Sequence, residues 1–256
     1  YAFSYRGVAR EYHHSTGAKF VDPVTELNKR APAAPAVESG VSSDIEVIVD
    51  DNNPIHGVTG CDRYVARAIH GFDPTNHTPN WMRRRLIRAG MRSISLAVDV
   101  TNYVMLDLGQ PMHAYDLDKI EGPIVVRRAA EGEKLTTLDG KEHDLSVEDL
   151  LITDSPDGKR GSRILGIAGV MGGLYGEVTA DTKNILLEAA HFDSVSIARS
   201  ARRHKIPSEA SRRFERGVDT QLQPAAAQMA AELLTKFGNG EPSGHPTDVN
   251  TTMYRR

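Results

Sequence analysis

Four short stretches carry side chains that could do chemistry. His113 sits in Gln110-Pro111-Met112-His113-Ala114-Tyr115-Asp116, a segment read as a proline-fixed turn. A histidine there can act as acid, base or hydrogen-bond positioner near neutral pH. Taken alone, the commoner reading is a structural histidine held by a neighbouring carboxylate such as Asp116. Glu188 lies inside Ile185-Leu186-Leu187-Glu188-Ala189-Ala190. A carboxylate in an apolar run is costly to bury alone, so its pocket should supply a cation or a ligand hydroxyl. The plainer reading is a strand residue facing solvent. Thr101-Asn102 interrupts an apolar run with two donor–acceptor side chains, or marks a β-bulge. Gly169-Val170-Met171-Gly172-Gly173 would let backbone approach a ligand closely, or simply make a tight turn. It is not GxGxxG and lacks the lysine of a phosphate loop.

Other chemistries find little support. His13-His14 are adjacent and diverge on a helix, and the ten histidines contain no HExxH spacing, so no structural metal is inferred. Ser208 has no identifiable base partner, and Cys61 lies in a strand-like segment, so a covalent intermediate is not expected. Two segments are cationic. One holds Arg83, Arg84, Arg85, Arg88 and Arg92. The other, Arg199 to Arg216, holds seven Lys/Arg against Glu209 and Glu215. They are either solvated helix faces or phosphate-backbone contacts.

These residues need elements to hold them. Residues 1–16 suggest an amphipathic helix with Tyr5, Val8 and Tyr12 on one face, stopped by Gly17. Residues 31–43 suggest a linker. Strands are expected at 44–50, 62–70, 94–106 (breaking near Asn102), 124–128, 150–153, 163–170 and 184–190. Thr78 and Pro79 should open a helix that Gly90 ends. Further helices are expected at about 194–204, 208–216 and 222–236. The stretch from Gly238 to Asn250 is expected to be an exposed exit. Many strands followed by helices, without βαβ alternation, argue for an α+β fold with mostly antiparallel or mixed sheets.

The composition bounds the answer. The chain has 256 residues, 39% hydrophobic and 25% charged, enough for a sizeable soluble core. No apolar stretch is long enough to span a membrane, and no basic-apolar-small leader opens the chain, so a cytoplasmic protein is expected. One cysteine excludes an internal disulfide framework or a CxxC zinc site. The net charge of −3, taken globally, argues against nucleic-acid binding, but it averages over the two basic segments. The chain starts at Tyr1 and closes on Arg255-Arg256, which suggests a piece of a longer protein.

Four segments in order carry a family resemblance: MRSISLAVDVTNYVMLDLGQPMHAYDLDKI (91–120), LGIAGVMGG (165–173), DTKNILLEAAHFD (181–193) and ARRHKIPSEASRRFERGVD (201–219). They closely resemble the B3/B4 editing region of bacterial phenylalanyl-tRNA synthetase β subunits. The resemblance covers nearly the whole chain. It implies an interleaved α+β module with a mixed or antiparallel β-sandwich and flanking helices. The expected division is an N-terminal helix and linker (1–40), the B3/B4 module (41–240) and an exit linker (241–256).

It also implies a function: hydrolysis of tyrosine wrongly attached to phenylalanine tRNA, within an α2β2 enzyme. The partners implied are the mischarged tRNA, the α subunit and a second β subunit. ATP and magnesium would belong to the parent complex, with no cofactor in this region. By resemblance, Glu188 recognises the phenolic hydroxyl. His113 lines the pocket and positions substrate or water. Thr101 and Asn102 are polar groups near the ester. Arg92 lies beside the pocket, and Pro111, Leu138, Ala168 and Gly169 are walls. Ser208 and Ala210 belong to a Thr/Ser-x-Ala element, with serine where some members have threonine. An apolar pocket rejects an added hydroxyl by only about 10²-fold, which gives a second, hydroxyl-reading site its purpose. The mechanism expected is attack by a positioned water. The alternatives are a non-catalytic tRNA-binding or scaffold module, or a free-standing module acting on another ester or peptide.

Overall fold

The computed structural model describes residues 2–34 and 44–252. Most of the expected linker at 31–43 lies outside the described residues. The α+β architecture is as expected, and its order in space is sheet, sheet, helices.

The first sheet is mixed. Its strands run in the order β1 (Val47–Asp50), β4 (Ile124–Arg128), β7 (Leu150–Asp154), β8 (Arg163–Ile167) and β9 (Met171–Gly172). Only β1 and β4 pair in parallel; the rest are antiparallel. The second sheet is built on the ten-residue β2 (Cys61–His70). The strand β10 (Ile185–Phe192) pairs with β2 on one side and with β3 (Met112–Asp116) on the other, both antiparallel. A small hairpin, β5 (Lys134–Thr136) with β6 (Glu142–Asp144), stands apart.

Alternation along β10 divides the core, because successive side chains of a strand point to opposite faces. Leu186, Ala190 and Phe192 join Tyr64 and Tyr115 against Ile124, Val126, Leu151 and Leu165 of the first sheet. Ile185 and Leu187 join Ala114 and Ile69 against two helices on the other side. Those helices are α4 (Leu96–Leu108) and α7 (Gln223–Gly238). Fully burying one such Leu, Ile or Phe contributes roughly 1.5–3 kcal/mol.

The helix α4 replaces the strand expected over 94–106. Its β-branched residues favour a strand only weakly, and its ends override them. Ser95 caps the N-terminus, and Gly109 closes the C-terminus at φ +90. The apolar positions 96, 100, 104 and 108 then recur with helical period and reach one core. Asp99, fully buried, locks the start by accepting from Ile94 N at 2.9 Å, Thr78 Oγ1 at 2.6 Å and the Ser93 hydroxyl. Thr78 is therefore not a helix cap. The helix α3 (Asn80–Arg88) starts at Pro79 without a side-chain cap and turns out at Gly90.

Three further expectations change. Residues 241–250 do not leave the fold: β11 (Glu241–Pro242) and β12 (Thr247–Asn250) both pair with β2 and cover its outer edge. An unpaired edge of ten residues would expose a row of backbone donors and acceptors. The helix α1 (Tyr5–Thr16) forms, but Tyr5, Val8 and Tyr12 point outward, and Gly7 is its buried residue. The helix α2 (Pro23–Arg30), capped by Asp22, was not anticipated. The later helices fall where expected, as α5 (Ser194–His204), α6 (Glu209–Phe214) and α7. No helix among the described residues is long and apolar enough to cross a membrane.

Candidate active site

His113 and Glu188 come together because β3 and β10 pair in a register that sets them directly opposite. His113 is thus on a strand, not in a turn. Asp116 is not its partner: that carboxylate accepts from Thr182 Oγ1 at 2.8 Å instead. Tyr115 follows His113 on the same face of β3, with the ring centroids 4.5 Å apart. Tyr64 reaches the same point from β2.

Glu188 does not face solvent; it is only 7% exposed. Its Oε2 accepts from the hydroxyls of both Tyr64 and Tyr115, each at 2.8 Å. Among the described residues, no group donates to Oε1. Burial pushes the Glu188 carboxyl pKa up, and the hydroxyls of Tyr115 and Tyr64 pull it back down. Burial likewise raises both phenols well above their ordinary value. His113, half-buried, is pushed down to about 4 by desolvation. Its ring is neutral at pH 7, and among the described residues neither ring nitrogen has a hydrogen-bond partner.

Around this pair is a cavity of about 70 Å³. Pro111, Ala168, Gly169 and Ala210 line it together with His113 and Glu188. The turn after β8 forms one wall, and glycine is required there for two different reasons. Gly169 has φ +65, and a Cβ on it would meet Phe214, Ile197 and Phe192 at 2.9–3.1 Å. At Gly172 a Cβ would lie 2.7 Å from His113 Cε1. Leu138 stands at the rim: its N–H donates to Gly172 O at 3.0 Å. Ser208 lies one step behind. It caps α6 in a capping box with Ser211, which carries Ala210 and Phe214 to the wall.

Three residues expected at the site lie elsewhere. Thr101 and Asn102 belong to α4, whose apolar face packs on the opposite side of the second sheet from Glu188. Thr101 Oγ1 donates back to Val98 O at 2.8 Å. Neither lines the cavity. Arg92 lines a separate cleft of about 1040 Å³, with Arg83, His77 and the start of α4. Conversely, Tyr64 and Phe214 were not singled out, Tyr115 appeared only as a neighbour in the His113 segment, and Gly172 only as part of the glycine-rich turn. Tyr115 had a signal, two residues from His113 on a strand; Tyr64 had none.

The basic segments also divide. Arg199 and Arg203 pair with Glu148, Arg203 also with Asp149, Arg212 and Arg213 with Glu209, and Arg216 with Glu215. On α3, Arg85 donates to Tyr103 Oη at 2.7 Å and stacks near Trp81. Among the described residues, Arg83, Arg84 and Arg88 have no ion pair.

The site therefore offers a buried carboxylate with one vacant acceptor, a neutral imidazole beside it and walls of small residues. That arrangement can accept a hydrogen bond from a hydroxyl that enters the cavity. Residues 60–239 match the model of the B3/4 domain, and the chain belongs to that family. It is 81% identical over 252 residues to the phenylalanine–tRNA ligase β subunit of Bifidobacterium longum, covering 98% of this chain and 29% of that protein. The β subunits of Leifsonia xyli and Thermobifida fusca are 52% and 48% identical, over 95% and 100% of this chain. The chain spans 27–29% of the length of these relatives.

Proposed function

We propose that this domain hydrolyses tyrosine esterified to phenylalanine tRNA, as the editing region of a phenylalanine–tRNA ligase β subunit. The observation that carries the reading is the Glu188 carboxylate, buried on a cavity wall with Oε1 free of donors. A tyrosyl hydroxyl would donate to that oxygen. A phenylalanyl ring would leave it desolvated and unpaired, which costs about 1–3 kcal/mol or more for a charged acceptor.

In hydrolysis, water adds to the ester carbonyl and the acyl–oxygen bond breaks. The tRNA hydroxyl leaves with a proton, and free tyrosine forms. His113, uncharged at neutral pH, is too weak a base to activate water fully; it orients water or ester by hydrogen bonding. The cavity at about 70 Å³ is smaller than the roughly 150 Å³ that holds benzene, so side chains at the rim move when a ring enters.

The larger assembly belongs to the same proposal: an α2β2 enzyme in the cytoplasm, with ATP and magnesium used at the α subunit's aminoacylation site. Thr101 and Asn102, on the far side of the second sheet, and Arg92, in the separate cleft, take no part in the ester chemistry on this reading. The test is deacylation of Tyr-tRNA by the assembled ligase. Glu188→Gln and His113→Ala should each slow it at least tenfold. Unchanged rates in both variants would reject the site assignment, and no deacylation by the parent ligase would favour a scaffold module.

A further inference from the structure

Glu188 is not a lone carboxylate. Two phenols, from the strands on either side of β10, converge on the same oxygen at 2.8 Å. Both are deeply buried, Tyr64 at 0% and Tyr115 at 2% exposure. A carboxylate only accepts hydrogen bonds, and a buried one is unstable as an anion without donors. Without them it would take up a proton or rotate, and its free oxygen would no longer be fixed on the cavity.

We propose that Tyr64 and Tyr115 are positioning residues for Glu188: by occupying Oε2 together they leave Oε1 as the single acceptor offered to a phenolic substrate. The inference rests on the reading of Glu188 as the hydroxyl acceptor. It assigns the selectivity for tyrosyl over phenylalanyl esters to three side chains. A third phenol, from the substrate, completes the set.

The surroundings leave few other sources of this control. From β2, Cys61 and Tyr64 are the titratable groups near Glu188. From β3 they are His113 and Tyr115, and Asp154 of β7 influences Tyr115. The Gly166–Gly172 segment contributes none, and α6 presents Ala210 and Phe214. No cation faces the carboxylate from these elements, so among the described residues the two hydroxyls are what donate to it, opposing the upward push of burial.

The test uses the assembled ligase with Tyr64→Phe, Tyr115→Phe and Glu188→Gln. Deacylation of Tyr-tRNA and Phe-tRNA is followed in the same preparation, from pH 5 to 8. The ratio of the two rates does not depend on the folded fraction, so a partly destabilised variant still reports. Each Tyr→Phe change should lower the ratio about tenfold, the worth of one hydrogen bond to a charged group. It should also move the acid limb of tyrosine selectivity to higher pH, and Glu188→Gln should abolish that limb. A parental ratio and limb in both tyrosine variants, alongside a collapsed ratio in Glu188→Gln, would overturn the positioning role alone. A parental ratio in Glu188→Gln would overturn both it and the underlying reading.

Discussion

Glu188 and His113 face one another across the β10–β3 ladder, and Gly172 fixes how close the imidazole ring stands to the neighbouring turn. A methyl at Gly172 would lie 2.7 Å from His113 Cε1 and 3.1 Å from Nε2. Gly172→Ala should therefore push the ring aside. Deacylation of Tyr-tRNA should fall at least tenfold, because a displacement of about an ångström in a positioned group can cost 10²-fold. The melting temperature should change by only a few degrees.

Gly169→Ala should act on stability instead. Its φ of +65 disfavours any side chain, and the new methyl would meet Phe214, Ile197 and Phe192 within 3.1 Å. The expected loss is on the order of 2–4 kcal/mol from strain and overpacking together, read as a lower urea midpoint.

Acid should weaken the fold through His113. Its folded pKa of about 4 lies below the 6.5 of a free ring. Between those values the unfolded chain binds the proton and the folded one does not, so stability rises with pH. The contribution is complete above pH 6.5 and disappears as pH falls through 4. His113→Gln should flatten this part of the profile, measured as urea midpoints at pH 7 and pH 5.

Asp149 is the anchor of the helix behind the cavity. Fully buried, it accepts from Ser200 Oγ, Arg203 Nη1 and His204 Nε2 at 2.6 Å each. Asp149→Asn removes the fully buried charge that Arg203 and His204 share, leaving Arg203 only Glu148. The expected cost is about 3 kcal/mol by denaturant unfolding, with Tyr-tRNA deacylation reduced as Ile197 of α5 shifts beneath Gly169.

If the proposed function holds, charge reversal should separate the two basic segments. Arg84→Glu with Arg88→Glu should weaken tRNA binding and reduce its salt slope by about 1–2, as expected for one or two lost phosphate contacts. Arg212→Glu, whose guanidinium already meets Glu209, should change the slope little.

Much of this arrangement was legible in the residues. Glu188 stood out as a carboxylate in an apolar run, and α5 to α7 fall close to the expected ranges. The strand reading of 94–106 failed because the β-branched Val98, Val100, Thr101 and Val104 carry only a weak strand preference, whereas the Ser95 cap, the Gly109 stop and helical-period packing decide the local geometry. The edge strands at 241–250 were hidden because Gly and Pro there look like a linker, and their pairing with β2 is a long-range contact. Tyr64 was hidden for the same reason: 124 residues separate it from Glu188.

The cavity walls come from around Pro111, Gly169, Glu188 and Phe214, segments scattered over a hundred residues of chain and drawn from both sheets and a helix. The acceptor, the imidazole and the glycine wall all lie between His113 and Glu188, but a fragment confined to that span lacks the walls supplied by Pro111, Ala210 and Phe214. A ribosome-bound chain that has not yet released Phe214 has no finished pocket. Ligand occupancy of this cavity is accordingly coupled to cooperative folding of the entire unit, and a bound ligand should protect amides throughout both sheets from exchange rather than only those beside it.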